Sequence, residues 1–354
     1  MARKATVAIM SNTTTVSFPG LGIEPFELNK IAFSIGELEV RWYGVIITCG
    51  ILLAFLYAFY RGKHNEGIGM DDVIDVGMLT VLMGIAGARL YYVLTTLDSG
   101  IYESFYDVIA IWEGGLAIYG GIIGGCLGIL IMCRIKKIRW QKMFDMVAPG
   151  VVIAQSLGRW GNFFNGEAYG YMIGEQTRYY FFTAEHKLNS GEGTLFHTLR
   201  MGLGHGGVTD YFYHPTFLYE SVWNLIGFVL IHLLYKRKKF DGQVALMYFI
   251  WYGFGRMIIE GFRTDSLYVP GTESLRISQC VGLLCFLGGI LLLTVFLIRA
   301  HETAPRATAP SAVVSAEEGC VEETVEAEEK ELSADTSAQE ETKQTEEPEN
   351  GKID

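Results

Sequence analysis

Seven runs of roughly 20 apolar residues constrain this chain more than any other feature, because a run of that length covers the hydrocarbon thickness of a bilayer as one helix. They lie near residues 43–60, 73–96, 115–133, 143–159, 218–235, 243–260 and 277–298. Hydrocarbon offers the backbone no partners, so each run is predicted to satisfy its own N–H and C=O groups as a helix. The fourth is the weakest, being short and interrupted by Asp145 and Pro149. The loops between them alternate in charge. Segments 61–72, 134–142 and 236–242 hold clusters such as Arg134, Lys136, Lys137, Arg139 and Lys236-Arg237-Lys238-Lys239, whereas 97–114 has no Lys or Arg. Basic loops stay on the cytoplasmic side. The N-terminus is then outside and the C-terminus inside, which needs an odd number of crossings and so supports the marginal fourth. The expected fold is an all-α integral membrane protein with seven transmembrane helices. Segment 1–42 is external or interfacial, and 43–298 is the membrane body, with a small external domain in loop 160–217 between helices four and five. Residues 299–354 form a cytoplasmic tail.

The tail explains why the mean hydropathy is only +0.26. Residues 301–354 carry 16 of the 39 acidic residues and 4 of the 28 basic ones, leaving a near-neutral apolar body. A tail so rich in Glu, Ala and Thr cannot bury a core and is expected to be disordered. No soluble domain carries a basic stripe, which argues against a nucleic-acid partner. The six cysteines form no CxxC pair and five sit in apolar runs, the pattern of small packing residues rather than metal ligands. The short basic N-terminus (Arg3, Lys4) lacks a signal-peptide core. In the third run Gly120, Gly124 and Gly128 recur every four residues, which suits close helix packing better than a substrate-facing groove.

Polar groups within or beside membrane helices are costly and therefore informative. With the direction of each run fixed, they gather at the outer leaflet: Tyr43, Arg89, Glu113, Tyr119, Arg159, His214, Tyr219, Glu220, Arg256, Glu260 and Arg263. In the sixth run Tyr252, Arg256, Glu260 and Arg263 would span only about 80° of one helix face. Two cations, a carboxylate and a phenol on one face suggest an anion site with its own counter-charge. Snorkelling to headgroups explains a lone arginine but needs no glutamate one turn away. The densest polar string is Gly158-Arg159-Trp160-Gly161-Asn162-Phe163-Phe164-Asn165-Gly166-Glu167-Ala168-Tyr169-Gly170. It reads either as a tight loop around a phosphate, with Arg159 as a bidentate donor, or as a Gly-rich turn with a capping Asn.

These residues resemble the signature of the bacterial prolipoprotein diacylglyceryl transferase family. Further matches follow in order: Arg41-Trp42-Tyr43-Gly44, Gly87-Ala88-Arg89-Leu90, His214-Pro215-Thr216 with Leu218-Tyr219-Glu220, and the Tyr252 to Arg263 stripe. The tail from about 301 has no counterpart. The resemblance implies transfer of a diacylglyceryl group from phosphatidylglycerol, a membrane lipid, to the lipobox cysteine thiol of a prolipoprotein signal peptide. A thioether forms and glycerol phosphate leaves, with no metal or organic cofactor. It implies an enzyme of the bacterial cytoplasmic membrane whose site faces the outer leaflet. Arg159 and Arg256 are expected to hold the phosphate, Asn162 the glycerol headgroup, and Glu260 to orient Arg256. Tyr43, Arg89, Glu167, Gly170, Tyr252 and Arg263 are expected to contact substrate. One position departs from the family pattern: Tyr119 precedes the paired glycines of the third helix, where a histidine proposed as a base is usual. A phenol titrates near 10 and is a poor base at neutrality, so His214 and Glu260 become alternative proton acceptors. A transporter or binding protein for an anionic lipid is the competing reading, but transporters place charge at the midplane on broken helices. A metal-dependent headgroup enzyme would want clustered acids, and the close pair Asp71-Asp72 lies on a cytoplasmic loop.

Overall fold

Every one of the seven apolar runs is a helix in the computed structural model, which describes residues 12–102, 104–269, 271–272 and 274–303. The long helices are α1 (Trp42–Arg61), α2 (Met70–Thr96), α3 (Ile118–Ile135), α4 (Trp140–Asn165), α5 (Thr216–Leu234), α6 (Gln243–Ile259) and α7 (Ile277–Thr303). Five of them, α1, α2, α3, α5 and α7, are long and apolar enough to cross a membrane. The other two give up apolar positions to polar side chains. Asp145, Gln155 and Arg159 interrupt α4, and α6 is the shortest at 17 residues and carries Tyr248, Tyr252 and Arg256. Large apolar side chains stand exposed along the helices, among them Leu56, Leu82, Ile122, Leu233 and Leu291, as lipid-facing positions require.

Helix α2 packs on α3, α1 on α4, and α4 on α5 and α6. The glycine ladder of α3 is a packing face: a Cβ at Gly124 would collide with the Met83 carbonyl of α2, so only glycine lets these backbones come so close. The third helix begins at Ile118, later than its apolar run, because Gly114 and Gly115 take positive φ.

The chain is mostly helical, as an all-α membrane protein is expected to be, and among the described residues eight strands add to it outside the long helices. Strands β1 (Thr13–Phe18), β2 (Ile23–Asn29), β3 (Ile31–Ile35) and β4 (Leu38–Arg41) occupy the segment before α1. Strands β5 (Gln176–Phe181), β6 (Ala184–Asn189), β7 (Met201–His205) and β8 (Val208–Tyr213) occupy the loop between α4 and α5. One antiparallel sheet joins the two segments in the order β2-β1-β7-β8, with Val16 opposite Leu203. Gly206 and Gly207 both take positive φ, the geometry that a two-residue hairpin between β7 and β8 demands. Val16, Phe18, Leu28, Met201 and Phe217 form a core beneath the sheet, with Phe163 of α4 packed against it. The tail expected to be disordered lies, from residue 304 onward, outside the described residues, as do residues 1–11.

Candidate active site

The carboxylate of Glu220, in the second turn of α5, is 5% exposed and gathers three arginines. Arg159 of α4 donates from Nη2 to Glu220 Oε1 at 2.7 Å, and Arg256 of α6 donates from Nη1 to the same oxygen at 3.0 Å. Arg263 Nη1 lies 3.8 Å from Oε2. Arg256 also pairs with Glu260 at 2.7 Å, one helical turn on, and donates to Ser278 Oγ at 3.3 Å. Arg263 forks onto Asp265 at 3.0 and 2.8 Å. Burial works against the Asp265 charge, but this guanidinium outweighs it and holds the carboxyl below its ordinary range. Packed arginines persist only when carboxylates accompany them. Here the carboxylates come from α5 and from the turn that ends α6. The stripe expected on one helix face is helical only as far as Ile259. Glu260–Phe262 is a 3-10 turn and Arg263 is extended beyond it, yet its side chain still reaches the cluster.

The polar string after Gly158 folds for local reasons. Helix α4 stops at Asn165 because Gly166 takes a left-handed conformation and its N–H returns to Phe163 O. Asn162 and Asn165 then both donate to Glu167 Oε1 at 3.1 Å. Gly170 threads between His214 and Phe262. A Cβ there would stand 2.7 Å from His214 Cβ and 2.8 Å from Phe262 O. Its N–H donates to His214 O, and it bridges to Arg263, which stitches the end of α4 to the start of α5 and the end of α6. His214 is enclosed by Phe196 and Phe262, with Nδ1 3.1 Å from Tyr219 Oη and Nε2 3.1 Å from Thr177 Oγ1. Burial pushes its pKa down to about 4, so the ring is neutral at pH 7.

A cavity of about 630 Å³ opens among α1, α2, α3 and α4. Apart from Thr80 and Gln155, its walls are apolar from Val73 and Met143 up to the opposite end, where Tyr43, Arg159 and Asn162 line it. The lining positions on α4 from Met143 to Asn162 extend about 28 Å along the helix. Arg159 is thus shared between the Glu220 cluster and the cavity, with 22% of its side chain exposed.

The predicted residues divide accordingly. Arg159, Arg256, Glu260 and Arg263 meet at one cluster. Tyr43 and Asn162 line the cavity end, with Glu167 bonded to Asn162. Tyr252 stacks on Tyr248 one turn before Arg256. Gly170 and His214 sit behind the cluster as packing and hydrogen-bonding supports. Tyr119 is not brought to the arginines: its ring lies beside Tyr91, and Ile118 lines the cavity instead. Nor is Arg89, which donates to the carbonyls of Asp107, Val108, Gly114 and Gly115 and so anchors the loop before α3.

Sequence reasoning gave Glu220 no role, although three arginines at one membrane boundary already required a carboxylate beyond Glu260. Asp265 and Gln155 were missed as well. Asp265 follows the motif by two residues, and Gln155 stands one turn before Arg159.

Comparison with known proteins agrees with the motifs. Residues 30–295 match the model of the family described as prolipoprotein diacylglyceryl transferase. A phosphatidylglycerol–prolipoprotein diacylglyceryl transferase of Lactobacillus delbrueckii subsp. bulgaricus is 40% identical over 282 residues, covering 79% of this chain and 94% of that protein. The protein of that name from Limosilactobacillus reuteri is also 40% identical over 282 residues, covering 78% and 94%. One numbered 1 from Clostridium perfringens is 40% identical over 274 residues, covering 77% and 96%. The chain belongs to the prolipoprotein diacylglyceryl transferase family.

Proposed function

We propose that this chain moves the diacylglyceryl group of phosphatidylglycerol onto the thiol of a prolipoprotein lipobox cysteine, releasing glycerol phosphate. The observation that carries this reading is the position of Arg159, at the junction of an apolar cavity as long as a bilayer leaflet pair and a cluster of arginines. Acyl chains fit the apolar length, and the phosphodiester fits the charged end. Seven crossings put the N-terminal segment 1–42 and loop 160–217 outside, the body 43–298 in the bacterial cytoplasmic membrane and the tail 299–354 inside. The three basic loops support this, since all lie at the helix ends away from Arg159.

In the reaction the cysteine sulfur attacks the glycerol carbon bearing the phosphate, a C–S bond forms, and the C–O electron pair leaves on the phosphate oxygen. Charge on that phosphate rises from one to two as the bond breaks. Arg159 faces this growing charge, and guanidinium donors fixed in a low-dielectric site favour it. Arg256, held by Glu220 and Glu260, adds positive potential behind Arg159 without reorganising. Asn162, fixed by Glu167, faces the glycerol headgroup, and Tyr43 closes the same end of the cavity. The thiolate is the attacking form, and its lost proton balances the second charge on the departing phosphate. His214, neutral and bonded on both nitrogens, acts as a support for the Gly170 crossing rather than as the base. Tyr119, beside Tyr91 and off the cavity lining, takes no part in this step, and Arg89 holds the loop before α3.

The test is in-vitro transfer with phosphatidylglycerol vesicles and a lipobox peptide. Unsubstituted protein is expected to give a thioether product, and Arg159→Ala to give at least about 100-fold less, the scale of losing one preorganised donor. No thioether from the unsubstituted protein would overturn the reading. Equal product from both would remove Arg159 from its role.

A further inference from the structure

Between its charged end and its far end, the cavity wall carries one amide, that of Gln155. On α4 the lining positions Met143, Val147, Val151 and Ala154 are apolar until Gln155, and Arg159 follows one turn later. The Gln155 side chain donates from Nε2 to Tyr248 Oη at 3.1 Å. Its Oε1 is buried and, among the described residues, has no hydrogen-bond partner. A primary amide can make four hydrogen bonds, and leaving one end unmet inside a membrane body is costly. Thr80, another polar lining residue, is satisfied internally, because its hydroxyl donates to Val76 O.

Half a turn of the terminal amide would exchange the unmet acceptor for unmet donors. Tyr248 Oη–H would then donate to Oε1, and both N–H groups of Gln155, a residue of the cavity lining, would be left free to donate. Sited one turn, about 5.4 Å, from Arg159, they need an acceptor from whatever occupies the cavity. A lipid whose phosphate meets Arg159 presents its two ester carbonyls at about that depth, and these groups only accept. On the reading of the cavity proposed above, we infer that Gln155 is an ester-carbonyl subsite, through which the protein selects diacyl over dialkyl lipids. Tyr248 is the positioning residue that holds the amide in the donating orientation. The hydrogen bond anchors the glycerol backbone, and so sets how far the scissile carbon stands from the incoming sulfur.

The test compares two synthetic donors that differ only at the linkage, 1,2-diacyl and 1,2-di-O-alkyl phosphatidylglycerol with matched chains, in mixed micelles with a lipobox peptide. The readout is the ratio of kcat/KM for ester over ether, which does not depend on the folded fraction of a variant. The unsubstituted protein is expected to favour the ester by about fivefold, equivalent to about 1 kcal/mol. Gln155→Leu and Gln155→Met are both expected to bring the ratio to about one by lowering the ester value. A ratio left unchanged by both substitutions overturns the subsite while leaving transfer intact. Absence of transfer from either lipid by the unsubstituted protein overturns the transfer reading, and the subsite with it.

Discussion

Helices α4, α5 and α6 carry a buried charge cluster at each end, and the two are built differently. At one end, Asp145 of α4 accepts from the backbone N–H groups of Gly242 and Ala245 at 2.8 and 3.0 Å and from Lys238 Nζ at 3.1 Å. Lys238 also pairs with Glu66 at 2.6 Å, and Tyr235 donates to the same carboxylate. Arg61 lies over the Tyr235 ring at 4.1 Å and donates to Tyr57, Asn65 and the His232 carbonyl. Asp145 in effect caps the start of α6. Among the described residues these charges are met by protein, and none of them lines the cavity beside Arg159. At the other end Glu220 gathers three arginines, but Arg159 keeps part of its surface on a cavity. The difference teaches that a buried ionic network becomes a binding site when one charged donor is held by protein on one side only. When all donors are consumed, the network serves as a clamp.

Four outcomes would sharpen or break that contrast. The largest effect is expected from Glu220→Gln, which leaves three guanidinium groups without their shared counter-charge. Breaking a buried pair costs about 3–5 kcal/mol, so the unfolding midpoint in detergent and the transfer rate should fall together. A lost rate at an unchanged midpoint would mean that Glu220 has no clamping share. Next, Arg159→Ala should cut transfer by at least about 100-fold while the midpoint moves little. A large drop in the midpoint instead would class Arg159 with the clamp. Third, Asp145→Asn should lower stability by about 1–3 kcal/mol through weakened buried hydrogen bonds, with turnover per folded molecule preserved. Loss of that turnover would erase the distinction between the two ends. The smallest effect concerns pH. Burial lowers His214 from the ordinary 6.5 to about 4. The unfolded chain therefore binds a proton that the folded one refuses between those values. Stability is full above pH 6.5 and falls as pH drops toward 4. Thermal scans of His214→Gln should show a shallower acid slope across that window, and an identical slope would mean that His214 is already protonated when folded.

Much of the chemistry was legible in residue order. Arg256 and Glu260 do pair across one turn, because i,i+4 contact is fixed by helix geometry alone. The glycine ladder of α3 does pack closely, because only glycine allows it. What order left open were the pairings between elements. Glu220 stands 61 residues from Arg159 and 36 from Arg256 in the chain, and no spacing rule connects them. Strand β1 found its partner in β7 only after about 190 intervening residues. Tyr119 was expected near the chemistry from its motif, yet the rotation of α3 turns Ile118 to the cavity instead. Arg89 was expected at substrate, yet four carbonyls of the loop before α3 take its donors.

By itself the sequence determined where helices form and which residues carry charge, since hydrocarbon forces each long apolar run to close its own hydrogen bonds. Tertiary structure alone decided which charge meets which, because the tilt and rotation of packed helices are set by side-chain fit between distant segments, and local periodicity holds no record of that fit.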